Sequence, residues 1–158
     1  MDITIEPIPP ATVTALLGTD DAGHAPRFGV DAEGGSPLRC CLTKARPGER
    51  VALLTYAPLR RWARDPGPYD EEGPVFVHAE PCSGPGSGGW PAAHRGVARV
   101  LRAYDERGHI LGGRLVPAEG DPESVARELL REAAVVHVRA VEFGCFQFSV
   151  TGENAWSG

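Results

Sequence analysis

Gly73-Pro74-Val75-Phe76-Val77-His78-Ala79-Glu80-Pro81-Cys82 is a short, nearly continuous apolar run that ends in a His and a Cys. Its first half is apolar, β-branched and aromatic, too short for a helix, and stopped by Pro81. It therefore reads as a buried strand over 74–79. The strand delivers a His and then a Cys into Ser83-Gly-Pro-Gly-Ser-Gly-Gly89, a flexible Gly-rich loop.

A buried strand needs partners, and the chain supplies them on both sides. Upstream, Arg50 to Tyr56 is a second buried strand, stopped by Pro58. Leu38-Arg39-Cys40-Cys41-Leu42 is apolar apart from one Arg and reads as a strand followed by a turn at Arg46-Pro47-Gly48. Ile3 to Ile8 reads as an edge strand, and Ala11 to Leu17 as a short helix opened by Pro10 and ended by Gly18. The segment 18–37 reads as an irregular loop, with Phe28 to Val30 as a short pairing segment within it.

Downstream, 97–104 and 110–116 flank Asp105-Glu-Arg-Gly-His109, a hairpin with Gly at the left-handed position. Asp121-Pro122-Glu123 is a helix start, with a capping Asp and Pro in the first turn, and its apolar face runs on to Ala134. The segments 135–141 and 145–151 form a second hairpin around Glu142-Phe-Gly144, and the tail 152–158 reads as frayed. About seven strands, two short helices and short turns give an α+β fold, mainly antiparallel sheet or a partly open barrel. With no βαβ alternation, a doubly wound sheet is excluded.

The chain has 158 residues, enough for one domain with a real core. Its net charge of -5 and scattered basic residues argue against nucleic acid as a partner. No apolar run approaches the roughly 20 residues that span a bilayer, so no membrane role is expected. The N-terminus lacks the basic and apolar regions of a secretory signal, which places the protein in the cytoplasm with its four cysteines reduced.

Several spaced motifs resemble a bacterial family called domain of unknown function 1203. They are Pro37-Leu38-Arg39-Cys40-Cys41-Leu42, Pro47-Gly48-Glu49-Arg50, Pro68-Tyr69 followed by Gly73 to Ala79, Arg102-Ala103-Tyr104-Asp105, and Gly144-Cys145-Phe146. The resemblance covers nearly the whole chain and implies a whole-chain domain with no assigned activity. The family's first motif often reads Pro-Cys-Arg-x-Cys. Here Leu38 takes the first Cys position, and Cys40 fills the variable one.

The residues able to do chemistry gather around the opening stretch. His78 and Cys82 are ligand types suited to zinc, copper or iron, and with Cys40 or Cys41 alongside they would make a three-ligand open site. The spacing is not that of a zinc finger, and there is no C-x-x-C. The plainer alternative is a His bonded within the sheet and a Cys packed as a small apolar residue. A Cys nucleophile needs a neighbouring His or Arg, and the pairs on offer are Cys41 with Arg39, Cys82 with His78, and Cys145 with His137. Strand alternation would put Arg39 and Cys41 on one face and Cys40 on the other.

Arg39, Arg99, Arg114 and Arg139 each interrupt an apolar run. A buried Arg needs a carboxylate or a ligand anion, and two converging would bind an acidic small molecule. The alternative is a solvated sheet face, which is the expectation for Arg99, Arg114 and the His137–Arg139 face. Tyr69 and Glu80 complete the substrate-binding candidates. The Gly-rich loop lacks the Gly-Lys-Ser/Thr ending of a phosphate cradle; it is either a lid over His78 or a surface insertion. Three functions stay open: an enzyme acting on a small anionic substrate with His78, Cys82 and Cys41 as catalytic groups and Arg39 as the anion grip, a non-catalytic module for a small acidic ligand, or an interaction domain with an exposed apolar sheet face or edge and no pocket. The expected partner is a small anion, the cofactor is unassigned, and a homodimer is left open.

Overall fold

The computed structural model describes residues 1–153. Its strands form two antiparallel sheets that do not close into a barrel. One sheet has five strands in the order β1 (Ile3–Glu6), β8 (Phe146–Gly152), β7 (Val135–Ala140), β5 (Arg99–Tyr104) and β6 (Ile110–Val116). The other has three, β2 (Arg27–Asp31), β3 (Glu49–Tyr56) and β4 (Gly73–His78). Two α-helices, α1 (Pro10–Gly18) and α2 (Pro122–Leu129), cover them. The expected α+β architecture is therefore present, as two sheets. Among the described residues, no helix is long and apolar enough to cross a membrane.

The elements follow from local chemistry. β3 and β4 alternate, so that Leu54, Val75 and Val77 turn inward against α1, whose Val13 and Leu16 are buried. Gly108 takes φ +92° at the β5–β6 hairpin, the left-handed conformation expected of it. Asp121 caps α2 by accepting from the Ser124 N–H at 3.2 Å. α2 stops at Leu129 rather than Ala134. The Ala134 N–H instead donates to the Tyr104 carbonyl at 2.8 Å, so the chain has already left the helix to join the sheet. Gly152 lies opposite Ile3 at the end of β8, and the rest of the tail, 154–158, lies outside the described residues.

Two expectations are corrected. The segment 38–42 is not a strand but a tight turn, with the Leu42 N–H on the Leu38 carbonyl at 3.0 Å. It touches β4 through a single parallel bridge, Leu38 to Phe76. The His137–Arg139 face of β7 is not solvated: His137 and Arg139 are both buried, because the loop after β3 folds Trp62 over this side of the sheet. His137 is enclosed by the rings of Trp62, Tyr104 and Phe146, and neither ring nitrogen has a hydrogen bond.

Burial pushes His137 down to about 3. Burial, then the charge of Arg99, pushes His94 down to about 4. Both histidines are thus neutral in the fold but take up protons in the unfolded chain as the pH falls below about 6.5. Their contribution is complete above that value and is lost on acidification, at up to about 1.4 kcal/mol per pH unit for each. Asp20 and Asp21 act lower. Burial would raise both, but N–H donors on Asp20, and Arg61 with a backbone N–H on Asp21, hold each below the ordinary carboxylate value of 3.8. Urea midpoints should therefore fall between pH 6.5 and 4.5, and His137→Leu should flatten that slope. An equally steep slope in the variant would contradict the assignment.

Candidate metal centre

β4 ends at His78, and β4 alternation puts Phe76 and His78 on the face opposite Val75 and Val77. The turn 38–42 docks on that strand, its Arg39 N–H donating to the Phe76 carbonyl at 2.9 Å. This lands Cys40 and Cys41 beside His78. A strand would have separated the two cysteines onto opposite faces. The turn instead points both sulfurs at one ring nitrogen, with Cys40 Sγ at 3.4 Å and Cys41 Sγ at 3.9 Å from His78 Nδ1. Leu42, buried, closes the turn at φ 64°. For a non-glycine residue this is a strained backbone, of the kind retained where the surroundings fix it, often at functional sites.

Cys82 arrives from the other side, past Pro81. The sulfurs of Cys40, Cys41 and Cys82 and a ring nitrogen of His78 all lie within 4.8 Å of one another. All four cysteines of the chain are free thiols. Three of them stand in this cluster; Cys145 is elsewhere.

The His ring is oriented from behind. Glu49, at the start of β3, places Oε2 at 3.0 Å from His78 Nε2. Glu49 is itself fixed by the Arg46 N–H at 2.7 Å, and that bond first, then His78, holds its carboxyl below the usual range. With Nε2–H donating to Glu49, the Nδ1 lone pair faces the sulfurs. A carboxylate behind a ligating imidazole is the standard outer support of a metal-bound His. Cys40 Sγ also accepts the His78 backbone N–H at 3.3 Å. The two adjacent thiols are unequal: the Cys40 S–H donates to Cys41, which lowers Cys41 and raises Cys40. Thr43 Oγ1 adds a contact to Cys41 Sγ at 3.1 Å.

Beside the cluster lies an open cavity of about 320 Å³, lined by Glu49, Arg50, His78, Glu80, Cys82 and Ser83. Glu80 lines this cavity, held by Arg50 at 2.7 Å. Arg39 does not. It is buried, with Nε on the Phe146 carbonyl at 2.8 Å and Nη1 on the Pro37 carbonyl at 2.6 Å. Tyr69 stacks on His109 at 5.0 Å, outside the cavity. The single pocket of His78, Arg39 and Tyr69 expected for an anion-processing enzyme is therefore not formed.

Residues 35–152 match the family model described as protein of unknown function DUF1203. The chain belongs to this family. No curated protein and no solved structure matches it. The DUF1203 region takes in all four sulfur and nitrogen ligands, Glu49, Arg39 and β3 to β8, and leaves out β1, α1 and β2.

One member of the site, Glu49, has no signal in the sequence reading, and Cys40 and Cys41 enter it only as alternatives to each other. Strand alternation sends Cys40 and Cys41 to opposite faces, whereas the turn brings both to His78. Glu49 passed as one more polar residue after a Pro-Gly turn; the one clue was its place at the mouth of the strand that pairs with 73–78. Long-range nitrogen NMR tests its role. At neutral pH, His78 should show the tautomer protonated at Nε2, and Glu49→Ala should mix the two tautomers. An unchanged pattern in the variant would remove Glu49 from the site.

Proposed function

We propose that this chain binds one thiophilic metal ion, zinc foremost, through Cys40, Cys41, Cys82 and His78. The observation that carries the reading is the convergence of three sulfurs and one oriented imidazole nitrogen within 4.8 Å. Soft sulfur with borderline nitrogen selects zinc, copper(I) or iron over magnesium or calcium. Four protein ligands leave no open position, which is the pattern of an ion that organises structure or is held, rather than one that activates water. Here the ion would tie the turn 38–42 and the Gly-rich loop after Cys82 to the end of β4. A cytoplasmic location, with its reduced thiols, suits such a site.

The second reading is the enzyme acting on a small anionic substrate. What favours it is the unequal thiol pair, in which Cys41 carries the thiolate more readily than Cys40, together with the open cavity beside His78 and Cys82. In that reading Cys41 is the nucleophile, Cys82 and His78 flank it, and the metal is absent. The non-catalytic acid-binding module lacks support at this cavity, because its one cation, Arg50, is already paired with Glu80.

Elemental analysis of protein purified without chelators or metal-affinity resin separates these readings. The expected result is about one equivalent of zinc, iron or copper per chain, lost in His78→Ala and in Cys40→Ser. Removing the metal should lower the melting temperature, since an ion that binds only the native state at 1,000 times its Kd stabilises by about 4 kcal/mol. Metal-free protein that takes up no zinc, with one thiol alkylated rapidly by iodoacetamide at pH 7, would overturn the metal reading in favour of the thiolate enzyme.

A further inference from the structure

The three-stranded sheet ends on β2, whose outer side carries no strand. Arg27, Phe28, Gly29 and Val30 are all exposed, Phe28 at 51% and Val30 at 61%. Register sets which face they occupy. Phe28 lies opposite Ala52 and Val30 opposite Arg50 in β3, and Ala52 lies opposite Val77 in β4. Phe28 and Val30 therefore share the face of Ala52, Leu54, Val75 and Val77, the face that packs against α1. That apolar face runs on past the helix to the edge of the sheet. Outside the β2–β3 ladder, no backbone hydrogen bond reaches residues 27–30 among the described residues.

Proteins commonly protect such an edge with lysine, proline or a bulge. β2 has none of these, and its pairing with β3 is regular over its whole length. Its sequence is instead complementary to itself. When Arg27-Phe28-Gly29-Val30-Asp31 is laid antiparallel on a second copy about Gly29, Arg27 meets Asp31 and Phe28 meets Val30, each pair twice. Both charges are present at the edge. Arg27 has no hydrogen-bond or ion-pair partner among the described residues. Asp31 accepts from the Ser36 hydroxyl, the Ser36 N–H and the Gly34 N–H, which hold its carboxyl below the usual 3.8 and so keep it negative.

The other edges are less suited. β6 holds its Arg114 on Glu128 of α2, and its ladder with β5 slips between Ala103 and Tyr104. β1 is four residues long, with Ile3 and Ile5 packed inward.

We propose that β2 is a dimerisation edge, on which a second copy of this chain lays its own β2 antiparallel about a two-fold axis at Gly29. The two three-stranded sheets then join edge to edge, and the apolar face continues across the axis. A two-fold pairing closes on itself, so each copy caps the other and no filament grows. One short strand falls below the roughly 1,000 Å² of a stable interface, so the dimer forms near about 100 µM rather than at nanomolar concentration. The pairing stands whether or not the cysteine cluster holds a metal.

Sedimentation velocity of the whole chain, from about 5 µM to about 1 mM, tests it. The sedimentation coefficient should rise from that of a monomer to that of a dimer. Phe28→Lys and Val30→Lys alter exposed positions, and each enters the interface twice. Each should raise the dimer Kd roughly tenfold or more while leaving the circular dichroism melt of the monomer unchanged. Arg27→Asp sets carboxylates opposite each other and should act likewise, whereas Arg27→Lys keeps the pair and should leave the dimer. In a mixture of isotope-labelled and unlabelled chains, NOEs should pass from the Phe28 ring of one copy to the Val30 methyls of the other. A monomer at every concentration, a dimer Kd unmoved by Val30→Lys or Arg27→Asp, or intermolecular NOEs on another surface would each overturn the proposal.

Discussion

The fold depends on what is bonded around Arg39. Its backbone N–H donates to Phe76 in β4, and its carbonyl accepts the Ile8 N–H from the link between β1 and α1. Its guanidinium donates to Phe146 at the start of β8. One residue thus joins both sheets and the N-terminal segment, and it does so with a charge buried against carbonyl oxygens. Hydrogen bonds from a charged donor are stronger than neutral ones, and breaking them would strand a buried cation. With Arg39 held, the turn that follows has one place to go, and that place is beside His78.

From this constraint β4 acquires two different ends. Its C-terminal end meets the cysteine turn and becomes a soft-ligand cluster backed by Glu49. Its N-terminal end meets the β7–β8 turn, where Arg139 donates to the Gly144 carbonyl and pairs with Glu71. Cys145, considered in the sequence as a partner of His137, belongs to this second region: His137 is sealed among Trp62, Tyr104 and Phe146 with no ring hydrogen bond. The two ends share a strand but not a chemistry.

Most strands were legible because their cause is local. Apolar runs bounded by Pro and Gly placed β3, β4, β5, β6, β7 and β8 within a few residues of their observed limits, and the Asp121 cap placed the start of α2. The failures were tertiary. Leu38 to Leu42 has the composition of a strand, and nothing in five residues reveals that they close a turn with Leu42 in a left-handed conformation. The burial of β7 depended on a loop some seventy residues earlier in the chain laying Trp62 over it. His78 and Cys82 were readable as ligand types. That Cys40 and Cys41 would both reach the His ring was not, because alternation applied to a wrongly assigned strand sends them apart. Leu38 is a buried core residue, and Cys40, two residues on, supplies a sulfur to the cluster.

Three sulfurs and the Nδ1 nitrogen of His78 are proposed to hold one metal ion. X-ray absorption spectroscopy at the zinc edge, on the zinc-loaded chain, tests it most directly. The expected shell has three sulfurs at about 2.3 Å and one nitrogen at about 2.0 Å. A shell made only of oxygen and nitrogen, or one with no more than a single sulfur, would contradict it.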